Sequence, residues 1–199
     1  MLDLRNNPGG DSSFSDPMIA WFADRPFRFA SKFLIKSSVA AAASNQARLE
    51  KIPGGTETVS HMFAKSYAQT PIGEVFDFEI PFAEPRQGDR YKGAVYVLIN
   101  RHSYSNAVNV AAIIQDYDFG TIVGEKTSDM ATTYGAMESF VLPNTGIKVS
   151  FPKAHIIRPS GDEKTDGVTP DILIESAIVP QTQDIVLNHL LDILKQERD

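Results

Sequence analysis

Hydrophobic positions along the chain mark a short opening strand, an aromatic and helix-bearing first half, and a second half in which strands and helices alternate. Leu2 and Leu4 alternate with Asp3 and Arg5, the period of two expected of a strand. Asn6-Asn7-Pro8-Gly9-Gly10 breaks that strand, because proline fixes φ and glycine admits φ > 0. Phe14, Met18, Trp21 and Phe22 then recur at helical spacing, with Ser15 or Asp16 as cap and Pro17 suited to the first turn. Phe27, Phe29 and Phe33 alternate within residues 26–37 and predict a strand or hairpin arm. A helix over residues 40–47, a loop at Pro53-Gly54-Gly55 and a helix over residues 58–68 follow. Pro71, Pro81 and Pro85 mark residues 70–91 as extended.

From Tyr91 the texture changes. Residues 94–99 form a continuous apolar run, which fits a strand buried on both faces. Residues 107–117 predict an amphipathic helix that Gly120 stops, and Thr121-Ile122-Val123 predicts the next buried strand. Strand, helix and strand in that order are a parallel crossover unit. Residues 136–142 and 147–151 flank Pro143-Asn144-Thr145-Gly146 and predict a hairpin. A polar loop over residues 160–166, a strand over 171–174 and a closing helix over 182–195 complete the pattern. This pattern predicts an α/β fold with a sheet flanked by helices. At 199 residues, one domain spanning 1–199 is expected, and a strand that begins at residue 2 reads as a domain entered partway through.

Composition narrows the function classes. A net charge of −6 with no basic stripe argues against nucleic acid as a partner. The absence of cysteine excludes disulfides, cysteine-rich zinc sites and a thiol nucleophile. No His-x-x-x-His or His/Asp cluster suggests a metal, no cofactor motif is present, and no apolar run approaches the roughly 20 residues of a membrane span. Residues 2–16 lack the apolar core of a signal peptide.

Candidate chemistry lies where the buried strand hands over to the helix, at Ser103-Tyr104-Ser105-Asn106. A serine there is either a plain helix cap or a nucleophile in the positive field of the helix start. In the second case the following N–H faces a developing oxyanion, and the Pro8-Gly9-Gly10 turn offers another donor.

Four segments in order carry a resemblance to the S41 serine peptidases, the family of the C-terminal processing (tail-specific) proteases and the tricorn core. They are residues 2–10 (LDLRNNPGG), 95–107 (VYVLINRHSYSNA), 122–127 (IVGEKT) and 166–172 (DGVTPDI). Each alone has little specificity, whereas the four together span almost the whole chain. The resemblance implies a ClpP/crotonase-like spiral core. It also implies hydrolysis of peptide bonds in a peptide or protein substrate, through an acyl-enzyme. In the Ser/Lys branch the nucleophile precedes the Gly-Glu pair by 19 positions; counted back from Gly124 this selects Ser105, and Ser103 becomes a cap or turn residue. Asn106 and Gly9 would give the oxyanion N–H groups. That branch's lysine falls on Met130 and its glutamate on Val108, so its dyad is absent; Lys126 is expected to face solvent.

The tricorn-like branch uses a histidine from a segment upstream of the opening strand and a carboxylate just before the last motif. Glu163 is the expected carboxylate, with Asp166 as the alternative. His102, three residues before Ser105, is the candidate base within the chain, with His155 behind it; His61 and His189 read as surface residues. A domain lacking its N-terminal part could instead be catalytically inactive, or a ligand-binding relative such as the retinoid-binding proteins of the eye, which share the fold without proteolysis. No peptide-presenting PDZ module is evident. A domain entered partway would expose a strand edge, for which assembly into a homo-oligomer is one remedy. Many relatives are periplasmic or secreted.

Overall fold

A computed structural model describes residues 1–10, 12–52, 57–175 and 182–196. The loop expected at Pro53-Gly54-Gly55 lies outside the described residues. The chain forms two compact units, one from Met1–Phe29, Pro81–Ala131 and Arg158–Asp199, the other from Ala30–Ile80 and Thr132–Ile157.

The first unit is built on a parallel four-stranded sheet. Its strands are β1 (Leu2–Asp3), β4 (Tyr96–Ile99), β5 (Thr121–Gly124) and β8 (Ile172–Leu173), adjacent in that order. Leu2 pairs with Val97, Val97 with Ile122, and Val123 with Ile172. Helix α4 (Asn106–Asp116) joins β4 to β5, as the apolar pattern predicts. Alternation along the strands sends side chains to opposite faces. Val97, Ile99 and Ile122 share one core with Val108, Ala111 and Ala112 of α4, and with Ile19 and Phe27. Leu98 and Val123 pack on the other face with Ile174 and with Val186 and Leu190 of α5 (Ile185–Gln196). The sheet is therefore covered on both faces, which explains why β4 and β5 read as continuous apolar runs.

The helix expected over Phe14 to Phe22 is shorter. A 3₁₀ turn at Ser12–Phe14 runs into α1 (Ser15–Ile19), and the chain then turns back. Trp21 is used differently from a helix-face residue. The Arg86 guanidinium stacks 3.6 Å from its ring centroid, and Tyr91 N–H donates to Trp21 O. Those contacts pin the proline-marked segment beside α1.

In the second unit, β3 (Val75–Asp77), β2 (Lys32–Lys36), β7 (Lys148–Ile157) and β6 (Thr133–Val141) form an antiparallel sheet in that order. The sequence pattern shows its hairpin, at shorter bounds, but not that β2 and β3 join it. Phe27 does not belong to β2; it is fully buried in the first unit and bridges to Ala83. Two helices, α2 (Val39–Leu49) and α3 (Val59–Gln69), complete the unit. His61 caps α3 reciprocally with Thr58, its Nδ1 accepting from Thr58 N–H at 3.1 Å.

Glu138 is the electrostatic centre of this unit. Its side chain is 2% exposed and accepts from Lys153 Nζ at 2.7 Å, Arg48 Nη1 at 2.7 Å and Ser44 Oγ at 2.6 Å. Lys153 Nζ also lies 4.2 Å from the Phe63 ring centroid. Burial pushes the Glu138 carboxyl up, but the hydrogen bonds from Arg48, Lys153 and Ser44 outweigh it and bring the pKa down to about 2. Removing one partner of a buried ion pair strands the other charge. Glu138→Gln is therefore expected to destabilise the protein by about 3 kcal/mol at neutral pH, the low end for such pairs because Arg48 stays partly exposed. A carboxyl whose native pKa lies below its ordinary 4.5 contributes stability that is complete above that value and is lost as pH falls toward 2. Thermal melts of wild type and Glu138→Gln should converge across that window.

Candidate active site

Three loops leave the carboxyl ends of β1, β4 and β5, where parallel sheets place their ligand sites. Buried polar groups lace the first two together. Ser103, fully buried, accepts from Asn100 N–H at 3.0 Å and donates through its hydroxyl to Leu4 O at 2.8 Å. Asn100 Oδ1 accepts from Asn6 N–H at 3.1 Å and from His102 N–H at 3.0 Å, and its Nδ2 donates to Asn6 Oδ1 at 3.1 Å. Tyr104 N–H donates to Asn7 O at 2.9 Å. Ser103 is thus a structural bolt between β1 and β4, in keeping with its reading as a turn residue.

Ser105 stands immediately before α4 with φ 53° and ψ −124°. A non-glycine residue in that region is strained by about 1–3 kcal/mol and persists only where its surroundings hold it. Its side chain makes no capping hydrogen bond, so the plain helix-cap reading does not describe it. Its exposed hydroxyl has no hydrogen-bond partner among the described residues. Its backbone N–H donates to Asp129 Oδ2 at 2.6 Å.

Gly9 lies against this elbow. A Cβ at Gly9 would stand 2.7 Å from Ser105 Cβ and Tyr104 O and 2.8 Å from Asn106 N. With φ at +84°, this is a place where only glycine fits without strain. Gly9 N–H donates to Asn7 Oδ1 at 2.9 Å in the resting turn. Ala107 and Val108 N–H return to Tyr104 O and Ser105 O, whereas Asn106 N–H makes no hydrogen bond among the described residues. Asn106 Oδ1 is enclosed and likewise without a partner there.

The third loop is braced by the last motif. Thr127 N–H donates to Val168 O at 3.1 Å, Val168 N–H donates to Thr127 Oγ1 at 2.9 Å, and Thr127 Oγ1 donates to Asp129 O at 2.8 Å. A Cβ on Gly167 would meet Thr127 O at 2.0 Å. The four sequence segments therefore interlock in one unit.

The structure thus brings together Ser105, Asn106 and Gly9. His102 shares their turn; its imidazole is exposed and makes no hydrogen bond among the described residues. Glu163 is exposed in the polar loop. Asp166 pairs with Lys126 at 2.6 Å; the hydrogen bond from this lysine holds its carboxyl below the ordinary value. His155 lies in β7, stacked on Tyr134 with centroids 4.7 Å apart. Among the described residues no group of three or more His, Cys, Asp or Glu is arranged to hold a metal, and no helix is long and apolar enough to cross a membrane. Sequence reasoning misses Asp129 and Asn100, whose parts depend on loops meeting across the sheet. The one signal for Asn100 is a polar residue directly after a fully apolar strand.

The family model of peptidase family S41 matches residues 1–174, a stretch that includes all four motif segments. The chain belongs to peptidase family S41. Its fold is that of solved S41 structures. A candidate peptidase from Parabacteroides merdae ATCC 43184 superposes with a TM-score of 0.64 at 20% identity, over 96% of this chain and 50% of that one. Mature CPAF gives 0.62 at 19% identity, over 86% of this chain and 38% of that one. The photosystem II D1 C-terminal processing protease gives 0.53 at 20% identity, over 90% and 35%. The chain therefore spans half or less of the length of these solved chains. No curated protein gives a significant match.

Gly9→Ala tests the packing of the S41 glycine turn. The added methyl should cost about 1–3 kcal/mol and push the elbow out of place, lowering the melting temperature. Gly10→Ala, whose Cβ would meet nothing within 4 Å, should perturb Ser105 less.

Proposed function

We propose that the chain is the part of a serine-type peptidase that carries the nucleophile, with Ser105 forming the acyl-enzyme. The observation that carries this reading is the Ser105 elbow, strained, exposed and not used as a helix cap. Ser105 Oγ attacks the scissile carbonyl carbon, its proton passes to a base, and the carbonyl oxygen becomes the oxyanion. The Asn106 N–H at the start of α4, unbonded among the described residues, is one donor for that charge. Gly9 N–H is the second, released from Asn7 Oδ1 as substrate enters. Collapse expels the amine, which takes that proton from the base; water, giving a proton to the base, then attacks the ester, and the proton returns to Ser105 Oγ as the acid leaves. Glu163 orients the base, which is a histidine supplied from outside residues 1–199 rather than His102. Peptides or proteins are the substrate class.

With the segment that supplies the histidine present, a serine-directed fluorophosphonate probe should add its mass to Ser105 and not to the same protein carrying Ser105→Ala. Label elsewhere, or label that survives the substitution, defeats the assignment. Loss of a general base lowers rate by about 10²–10⁴. His102→Ala should stay well short of that loss in labelling rate; a fall of that size would make His102 the base.

A second reading is a non-hydrolytic binding relative. It is favoured by the absence, among the described residues, of any hydrogen-bonded base on Ser105 Oγ. A chain that folds and binds peptides but takes no probe at Ser105 even with the histidine-supplying segment present would establish it.

A further inference from the structure

We propose that Asp129 is a positioning residue for the nucleophile, holding Ser105 in its strained conformation through the Ser105 backbone N–H and keeping that N–H out of the oxyanion hole. This rests on the reading of Ser105 as nucleophile.

A residue at φ 53° and ψ −124° relaxes unless it is held from more than one side. On one side Gly9 packs directly on Ser105 and Asn106. Packing limits where the elbow can go but does not direct its amide. On the other side the Asp129 carboxylate accepts from Ser105 N–H at 2.6 Å, short for an N–H to oxygen contact and consistent with a charge-assisted bond. The two residues are 24 apart in sequence, so this is no local turn contact. Asp129 is itself fixed: its carbonyl accepts from Thr127 Oγ1 at 2.8 Å, and Thr127 is joined in both directions to Val168. Ser128 N–H donates to Arg101 O at 3.4 Å, tying the same loop to the one that carries Ser105. A rigid support thus reaches from the last motif to the nucleophile's backbone.

The bond also sorts the donors of the site. A carboxylate accepts and does not donate, so the Ser105 N–H it occupies is closed to a substrate carbonyl. Asn106 N–H, one residue on, is left as the helix-side donor. The negative charge of Asp129 at the helix start is favourable to the helix itself, so the support stabilises α4 as well.

Two measurements on the full chain test this, one independent of catalysis. In amide exchange followed by NMR, Ser105 N–H should exchange more slowly than the unbonded N–H of Asn106 in the wild-type protein. In Asp129→Ala the Ser105 amide should lose that protection while Ala111 and Ala112, deeper in α4, keep theirs. Asp129→Asn, which retains an oxygen acceptor, should restore much of it. Fluorophosphonate labelling of Ser105 should fall by about 10–100-fold in Asp129→Ala, the range for a hydrogen bond to a charged group, and recover in part in Asp129→Asn. Equal exchange of Ser105 and Asn106 in wild type overturns the proposal without any variant, as does wild-type labelling in a folded Asp129→Ala. If the wild-type protein takes no label with the histidine-supplying segment present, the nucleophile reading fails, and the exchange data still decide whether Asp129 holds the elbow.

Discussion

The site depends on the approach of two backbones that only a missing side chain permits. Gly9 occupies a place where any Cβ would sit within 2.8 Å of Ser105, Tyr104 and Asn106. Because that contact is closed, the β1 turn becomes a wall for the elbow, and the first N–H of α4 faces it. The same device recurs at Gly167 against Thr127, where the clearance is smaller still. Polar bonds then set direction where packing sets position. Ser103 and Asn100 fasten the β1 turn to β4, and Arg5 fastens β1 to α5. The Arg5 guanidinium donates to Asp3 Oδ2 and Asp184 Oδ2, each at 2.7 Å, while Asp184 Oδ1 accepts from Leu187 N–H at the start of α5.

Much of this is legible in the sequence. The β4–α4–β5 crossover follows from apolar runs and a helical pattern, since a strand buried on both faces leaves little ambiguity. The opening strand and its glycine turn are equally clear. Family motifs point to Ser105 rather than Ser103, and in the structure Ser103 is buried as a bolt while Ser105 is exposed. What is not legible depends on long-range assembly. Phe27 alternates with Phe29 and Phe33 in sequence, yet it leaves the strand and enters a different core, because β2 begins only at Lys32. In sequence, Asp129 is no more than a neighbour of the position where a lysine is missing. Its part emerges only when the β5 loop meets the β4 loop.

The two units differ in how they use charge. In the first, the ion pairs are dispersed, with Arg5 on Asp3 and Asp184, Lys126 on Asp166 and Arg158 on Asp116. In the second, Glu138 gathers Lys153, Arg48 and Ser44 into the interior, beside the clustered rings of Phe33, Phe63 and Phe78. Such a cluster is costly to leave half-formed, so the second unit holds its hairpin and helices in a single arrangement. The four motifs that build the elbow all fall outside this unit, although the chain passes through it twice between the first motif and the last.

That interleaving has a consequence for how the protein is made. β1 finds its parallel partner only when Val97, the register mate of Leu2, has been synthesised. At typical elongation rates the gap amounts to roughly 5–20 s, during which the glycine turn exists without the elbow it supports. β8 and its Gly167 contact arrive later still. The Ser105 elbow cannot take up its geometry on a half-finished chain, so its assembly is a timer set by topology, and contact order rather than local propensity governs when it forms.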